Sequence, residues 1–255
     1  MIKFFRKIRQ RLLINNKISK YLLYAIGEII LVVIGILIAL QINNNNELRK
    51  LRVKELHYLE NIKTDLQLNL NQIDRYIETR TKRIESANII LEYFEGKPIT
   101  DPVGFNKHII NIYTWRKFFQ NNNTFQELTN SGNLALISND NIKNELLNME
   151  SLYKILKYEE VHFRYDAEVL LYEPSYDVLD LNPLVKNFTF QISNGQAGED
   201  INISAANFNG LITDLKQKNG FVMAVYEFGV MNNQLEEMKK ISEKLIVLIN
   251  NEINF

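Results

Sequence analysis

The chain contains no cysteine, which removes disulfide staples, zinc–thiolate sites, thiol-linked haem and cysteine nucleophiles from consideration and leaves the redox compartment open. Proline and glycine are scarce, at four and ten in 255 residues, so helix-breaking positions are few. Acidic residues are missing from positions 1–20, which carry Lys3, Arg6, Lys7, Arg9, Arg11, Lys17 and Lys20. Residues 21–255 then hold 23 basic against 30 acidic groups, although the whole chain sums to zero. An acidic body lacks the clustered positive face that nucleic-acid recognition needs, so no nucleic-acid partner is expected. The motif inventory is equally bare. No glycine-rich phosphate loop, nucleophile elbow or His-Glu-x-x-His sequence occurs, and no catalytic residue, cofactor or metal site is expected.

What is present begins with a long apolar run. Residues 21–42 read YLLYAIGEIILVVIGILIALQI, about the twenty apolar residues that a helix needs to cross a hydrocarbon core of roughly 30 Å. A cleaved signal peptide has a shorter apolar region ending in a small-x-small site, whereas Ala39 is followed by Leu40-Gln41-Ile42, so the run reads as an uncleaved signal anchor. Seven basic residues precede it. Only Arg49, Lys50, Arg52 and Lys54 follow closely, diluted by Glu47, Glu55 and Glu60, so the N-terminus is expected in the cytoplasm and the rest outside. Phe4, Phe5, Ile8 and Leu12 share one helical arc and the basic residues the other, which suits either an interfacial helix or a simple basic tail. Inside the span, Glu28, Gly35 and Ala39 stand at i, i+7 and i+11, one face carrying an acid and a small-xxx-small pair. That face is a candidate contact with a second helix, of this chain or another subunit, the alternative being a neutral Glu28 bonded to Tyr24 or reaching the head groups.

These residues carry a resemblance. The runs FFRKIRQRLL and NKISKYLLYAIGEIILVVIGILIALQINN, with the looser FQELTNSGNLALISN, resemble a family of single-pass membrane proteins of Bacteroidota, domain-of-unknown-function family 6090. The resemblance implies a Gram-negative inner membrane and a periplasmic body, and no activity. The chain departs from the family where a Trp usually follows the span; Asn45 stands there, within Asn43-Asn44-Asn45-Asn46.

Beyond the span the apolar rhythm is helical. Glu47 to Glu95 lacks proline and glycine and places Leu59, Ile62, Leu66, Leu70, Ile73, Ile77, Ile84, Ala87, Leu91 and Phe94 on one stripe, a stalk helix continuing the span. Arg80 falls on the stripe and predicts a local interruption. Asp101-Pro102 starts a second helix, and Thr124-Phe-Gln-Glu127 has capping-box spacing for a short third one closed by Gly132. Ser138 or Asn139 caps a helix ending by Pro174. Phe188, Phe190 and Ile192 alternate, then Asn194-Gly195 signals a turn, so 187–203 reads as a small β-hairpin or an ordered loop. Ser204 starts a helix ended by Asn219-Gly220, and a long last helix follows. The fold expected is all-α: a basic segment 1–20, a transmembrane helix 21–42 and a periplasmic helical bundle 43–255.

Few positions suggest chemistry. Glu159-Glu160-Val161-His162 has the Glu-x-x-His spacing of di-iron bundles, but a complete site needs two such motifs and two more glutamates. Adjacent acids at Glu159-Glu160 and Glu236-Glu237 point in two directions on a helix and read as solvated. Trp115, among Tyr113, Phe118 and Phe119, reads as core or as a ligand platform. Ser131, Gly132, Asn133 and Leu134 form a corner between helices, either a connector or a partner-binding corner. Three functions fit: a non-enzymatic interaction or scaffold module, a periplasmic ligand-sensing domain signalling through a partner, and, last, a cell-envelope hydrolase. The first is expected because a docking surface needs no motif.

Overall fold

The computed structural model describes residues 18–254, and the basic arc at residues 2–13 lies outside them. The chain divides into two compact units, residues 1–57 and 58–255. Helix α1 runs from Ile18 to Phe94. In the first unit it holds one stretch long and apolar enough to cross a membrane, with large side chains from Leu22 to Ile42 exposed. After that stretch the helix turns polar, and Lys50–Glu47 and Arg52–Glu55 pair along it at 2.9 and 2.7 Å.

The second unit is a helical bundle, and no strand occurs among the described residues. Its α1 portion buries Leu59, Ile62, Leu66, Ile73 and Ala87, as the stripe predicts, and also Ile90, which the stripe left out in favour of Leu91. The helix is uninterrupted at Arg80, whose charge is matched inside the core as described below. Helix α2 (Pro102–Tyr113) starts as expected, with Asp101 Oδ1 accepting from the Gly104 N–H at 2.9 Å and Pro102 in its first turn. Helix α3 (Asn123–Asn130) forms without the expected capping box. The Thr124 N–H donates instead to Asp65 of α1 at 3.2 Å, and Glu127 accepts from the Tyr58 hydroxyl at 2.8 Å. Gly132 does take the left-handed conformation, φ 70°, before a 3₁₀ turn at Asn133–Leu136.

Helix α4 (Asp140–Ala167) is capped by Asn139 and does not stop at Pro174. It widens into a π turn at Glu168–Tyr172 and continues as α5 (Glu173–Val178). Proline has no N–H and its ring crowds the carbonyl four residues back, so a wider turn just ahead of it relieves the clash. The Leu171 carbonyl is satisfied by Gln217 Nε2 at 3.0 Å and the Tyr113 hydroxyl at 3.3 Å.

The hairpin is replaced by helix. Residues Leu181–Ile192 form α6, capped by Asp180, with Leu184 and Asn187 buried three apart. Asn194 and Gly195 supply a left-handed turn, and Ile201 returns only to accept a hydrogen bond from Asn187 Nδ2 at 2.9 Å. The helix expected from Ser204 is short, a 3₁₀ turn (Ala205–Phe208) and α7 (Asn209–Thr213). Asp214 then caps α8 (Leu215–Ile253), which passes straight through Asn219-Gly220. Gly220 is there for close packing: a Cβ would lie 2.5 Å from the Leu171 side chain. Helices α4 and α8 pack extensively, burying Leu146, Met149, Leu156 and Phe163 with Phe221, Phe228, Met231, Leu235 and Leu245.

Candidate functional site

The chain leaves helical conformation between α2 and α3, at residues 115–122, where Trp115 and Phe118 are buried and the others are half-buried or exposed. A buried non-helical backbone needs partners for its polar groups, and side chains of the flanking helices supply them. Asn69 of α1 donates to the Asn121 carbonyl at 2.8 Å and accepts from its N–H at 2.7 Å. The Tyr76 hydroxyl donates to the Lys117 carbonyl at 2.7 Å, and Glu160 of α4 accepts from the Phe118 N–H at 2.7 Å.

Glu160 also takes Arg80 Nη2 in a short ion pair, and the two residues are 0% and 1% exposed. Burial pushes the Glu160 carboxyl above its ordinary range, while Arg80 and the Phe118 amide draw it back down. The same burial lowers the Arg80 guanidinium, which retains two buried nitrogens, Nε and Nη1, with no acceptor. Trp115 packs beside this pair on an aromatic cluster, its ring 4.9 Å from Phe163 and 6.4 Å from Phe228. Core packing therefore accounts for one side of the indole.

Its other side borders a hollow of about 200 Å³ lined by Arg75, Tyr76, Thr79, Arg80, Arg83, Trp115 and Arg116. Four of the seven lining residues are arginines and none is acidic. Arg83 is buried and holds the end of α2, with Nε donating to the Asn111 carbonyl at 3.1 Å and Nη2 to the Thr114 carbonyl at 3.2 Å. Those carbonyls carry the negative end of the helix dipole, which suits a cation. Burial lowers the Arg83 guanidinium, and the positive charges of Arg80 and Arg116 lower it further. Like charges crowded around one concavity gain from an anion between them, and guanidinium groups match carboxylate and phosphate oxygens.

The residues singled out from sequence lie apart. Glu28, Gly35 and Ala39 fall on α1 within the first unit. Ser131 and Gly132 are exposed and Asn133 and Leu134 half-buried; Ser131 Oγ donates to the Glu127 carbonyl at 2.6 Å and accepts from Asn133 Nδ2 at 2.8 Å, which holds the corner together. The adjacent acids are not both solvated, because Glu160 turns into the core. His162 pairs with Glu227 of α8, Nδ1 to Oε1 at 3.3 Å, and not with an acid of its own motif. Tyr113 and Phe118 are core, and Phe119 is exposed. The four arginines were the missed residues. Their signal was Arg80 on an apolar stripe, a position that calls for a buried counter-charge as readily as for a break.

The profile of a family described as "Family of unknown function (DUF6090)" matches residues 28–172. The chain belongs to that family. No curated protein and no solved structure matches the chain. The DUF6090 match spans every residue that lines the arginine hollow, and Glu160 behind it, and ends before α8.

Proposed function

We propose that this DUF6090 member is a single-pass inner-membrane protein of a Gram-negative bacterium, of the Bacteroidota, whose periplasmic helical domain binds a small anionic ligand. The N-terminus is cytoplasmic and residues 21–42 form the span, a reading supported by the seven basic residues before the apolar run. The arginine hollow is the observation that carries the ligand. It favours a sensing domain over a bare scaffold, because a surface that only docks another protein needs no buried guanidinium that keeps two nitrogens, Arg80 Nε and Nη1, without an acceptor. It favours binding over hydrolysis, because its lining offers no carboxylate or imidazole to move a proton. The ligand class is a small molecule bearing carboxylate or phosphate groups. A signal would leave through a partner helix, and the face of Glu28, Gly35 and Ala39 is the proposed contact, a small-xxx-small pair beside an acid.

Trp115 is the single tryptophan and lines the hollow, so it reports on the site directly. Full-length protein in detergent micelles is titrated with inorganic phosphate, pyrophosphate and citrate at constant ionic strength. The expected result is a saturable change in tryptophan emission for at least one of them, lost in R75A/R116A, two exposed positions whose replacement leaves the core intact. Linear responses to all three, or an unchanged curve in the variant, would rule the hollow out as a binding site.

A further inference from the structure

A second group of side chains, separate from the arginine hollow, has the makeup of a metal site. His162 and Asp166 stand at i and i+4 on α4, hence on one face of the helix, and Glu227 reaches them from α8. One ligand atom from each of the three lies within 4.8 Å of the others. We propose that His162, Asp166 and Glu227 bind a divalent transition-metal ion that joins α4 to α8.

Three observations support this. First, Glu227 is 4% exposed, yet neither of its carboxylate oxygens accepts a hydrogen bond. A buried carboxylate without donors is costly unless a cation or a proton completes it. His162 Nδ1 lies 3.3 Å from Oε1, an ion-pair contact rather than a hydrogen bond. Second, that separation suits a shared ion. With metal–nitrogen and metal–oxygen bonds of about 2.0–2.1 Å, two ligands of a tetrahedral ion stand about 3.3 Å apart. Third, the donor set discriminates. One imidazole with two carboxylates suits zinc, manganese or iron(II), whereas magnesium and calcium prefer oxygen ligands alone. The His162 side chain is 49% exposed, so an ion could enter from that side and keep a coordination position open to solvent, as three-ligand zinc sites do. The proposed site shares only its histidine with the Glu159-x-x-His162 spacing: the other two ligands are one turn later and on another helix.

The test is isothermal titration of the full-length protein in detergent micelles with zinc chloride, after treatment with a chelator. The expected isotherm shows one ion per chain, an affinity lowered at least about tenfold in H162A and in E227Q, and no change in E236Q, which alters an exposed acid of α8. Magnesium chloride at the same concentrations should give no isotherm. Thermal melts by circular dichroism establish that each variant is folded; if E227Q is not, H162A decides, since it removes a half-exposed side chain. Zinc affinity unchanged in H162A, or absent in the wild type, would overturn the proposal.

Discussion

Glu160 and Glu227 are both buried glutamates of the same bundle, on α4 and α8, and their surroundings differ completely. Glu160 accepts from a guanidinium of α1 and from the backbone of the α2–α3 segment, so one side chain fastens three parts of the chain. Glu227 accepts nothing and faces another acid and a half-exposed histidine. A buried charge supplied with donors holds a structure in one arrangement. A buried charge left without them is a standing cost, and such a cost is retained where something else is meant to bind.

The largest effect should come from breaking the matched pair. R80A removes the counter-ion that draws the Glu160 carboxyl down, leaving a buried acid unpaired whether ionised or protonated, and a loss of about 3–5 kcal/mol in urea denaturation is expected. Replacing both partners with apolar residues, as in R80M/E160L, should recover most of that loss. A cost below about 1 kcal/mol for R80A would show the pair to be incidental.

The unmatched acid should make stability depend on pH near neutrality. Burial, reinforced by the charge of Asp166 and opposed by His162, pushes the Glu227 carboxyl from 4.5 up to about 7. Below 4.5 it is protonated both folded and unfolded. Between 4.5 and about 7 the unfolded chain releases the proton while the folded chain keeps it, so the contribution of Glu227 to stability falls as pH rises through that window and levels off above it. In metal-free buffer, E227Q should therefore be more stable than the wild type at pH 8, by about 1–2 kcal/mol after allowance for solvent on the His162 side, and should converge with it near pH 4. Parallel pH profiles for the two proteins would contradict the assignment.

Glu28 extends the comparison to an acid in an apolar run outside the bundle. E28L should leave membrane insertion and the melting of the bundle unchanged and weaken crosslinking between spans in native membranes. Undiminished crosslinking would remove this face as a contact.

These contrasts follow the limits of what a periodic pattern encodes. The stripe from Leu59 to Ala87 was legible because burial on one face repeats every 3.6 residues, and the Asp101-Pro102 start because capping is local. Gly132 was legible for the same reason. Glu160 was not, since its inward turn depends on Arg80, eighty positions earlier in the chain. Asn219-Gly220 looked like a helix end because a close approach to Leu171 is invisible without the packed neighbour. The alternation at Phe188, Phe190 and Ile192 misled because it also fits within a helix that buries Leu184 and Asn187. The candidate sites share this property: the four arginines come from α1 and from the segment after α2, and the proposed metal ligands from α4 and α8.

The arginine hollow is proposed to bind an anion. Crystals of the full-length protein grown with tungstate, a phosphate-shaped oxyanion that scatters anomalously, test it most directly. An anomalous peak is expected between the guanidinium groups of Arg83 and Arg116, beside Trp115. A hollow without such density, in crystals whose tungstate occupies other surfaces, would contradict it.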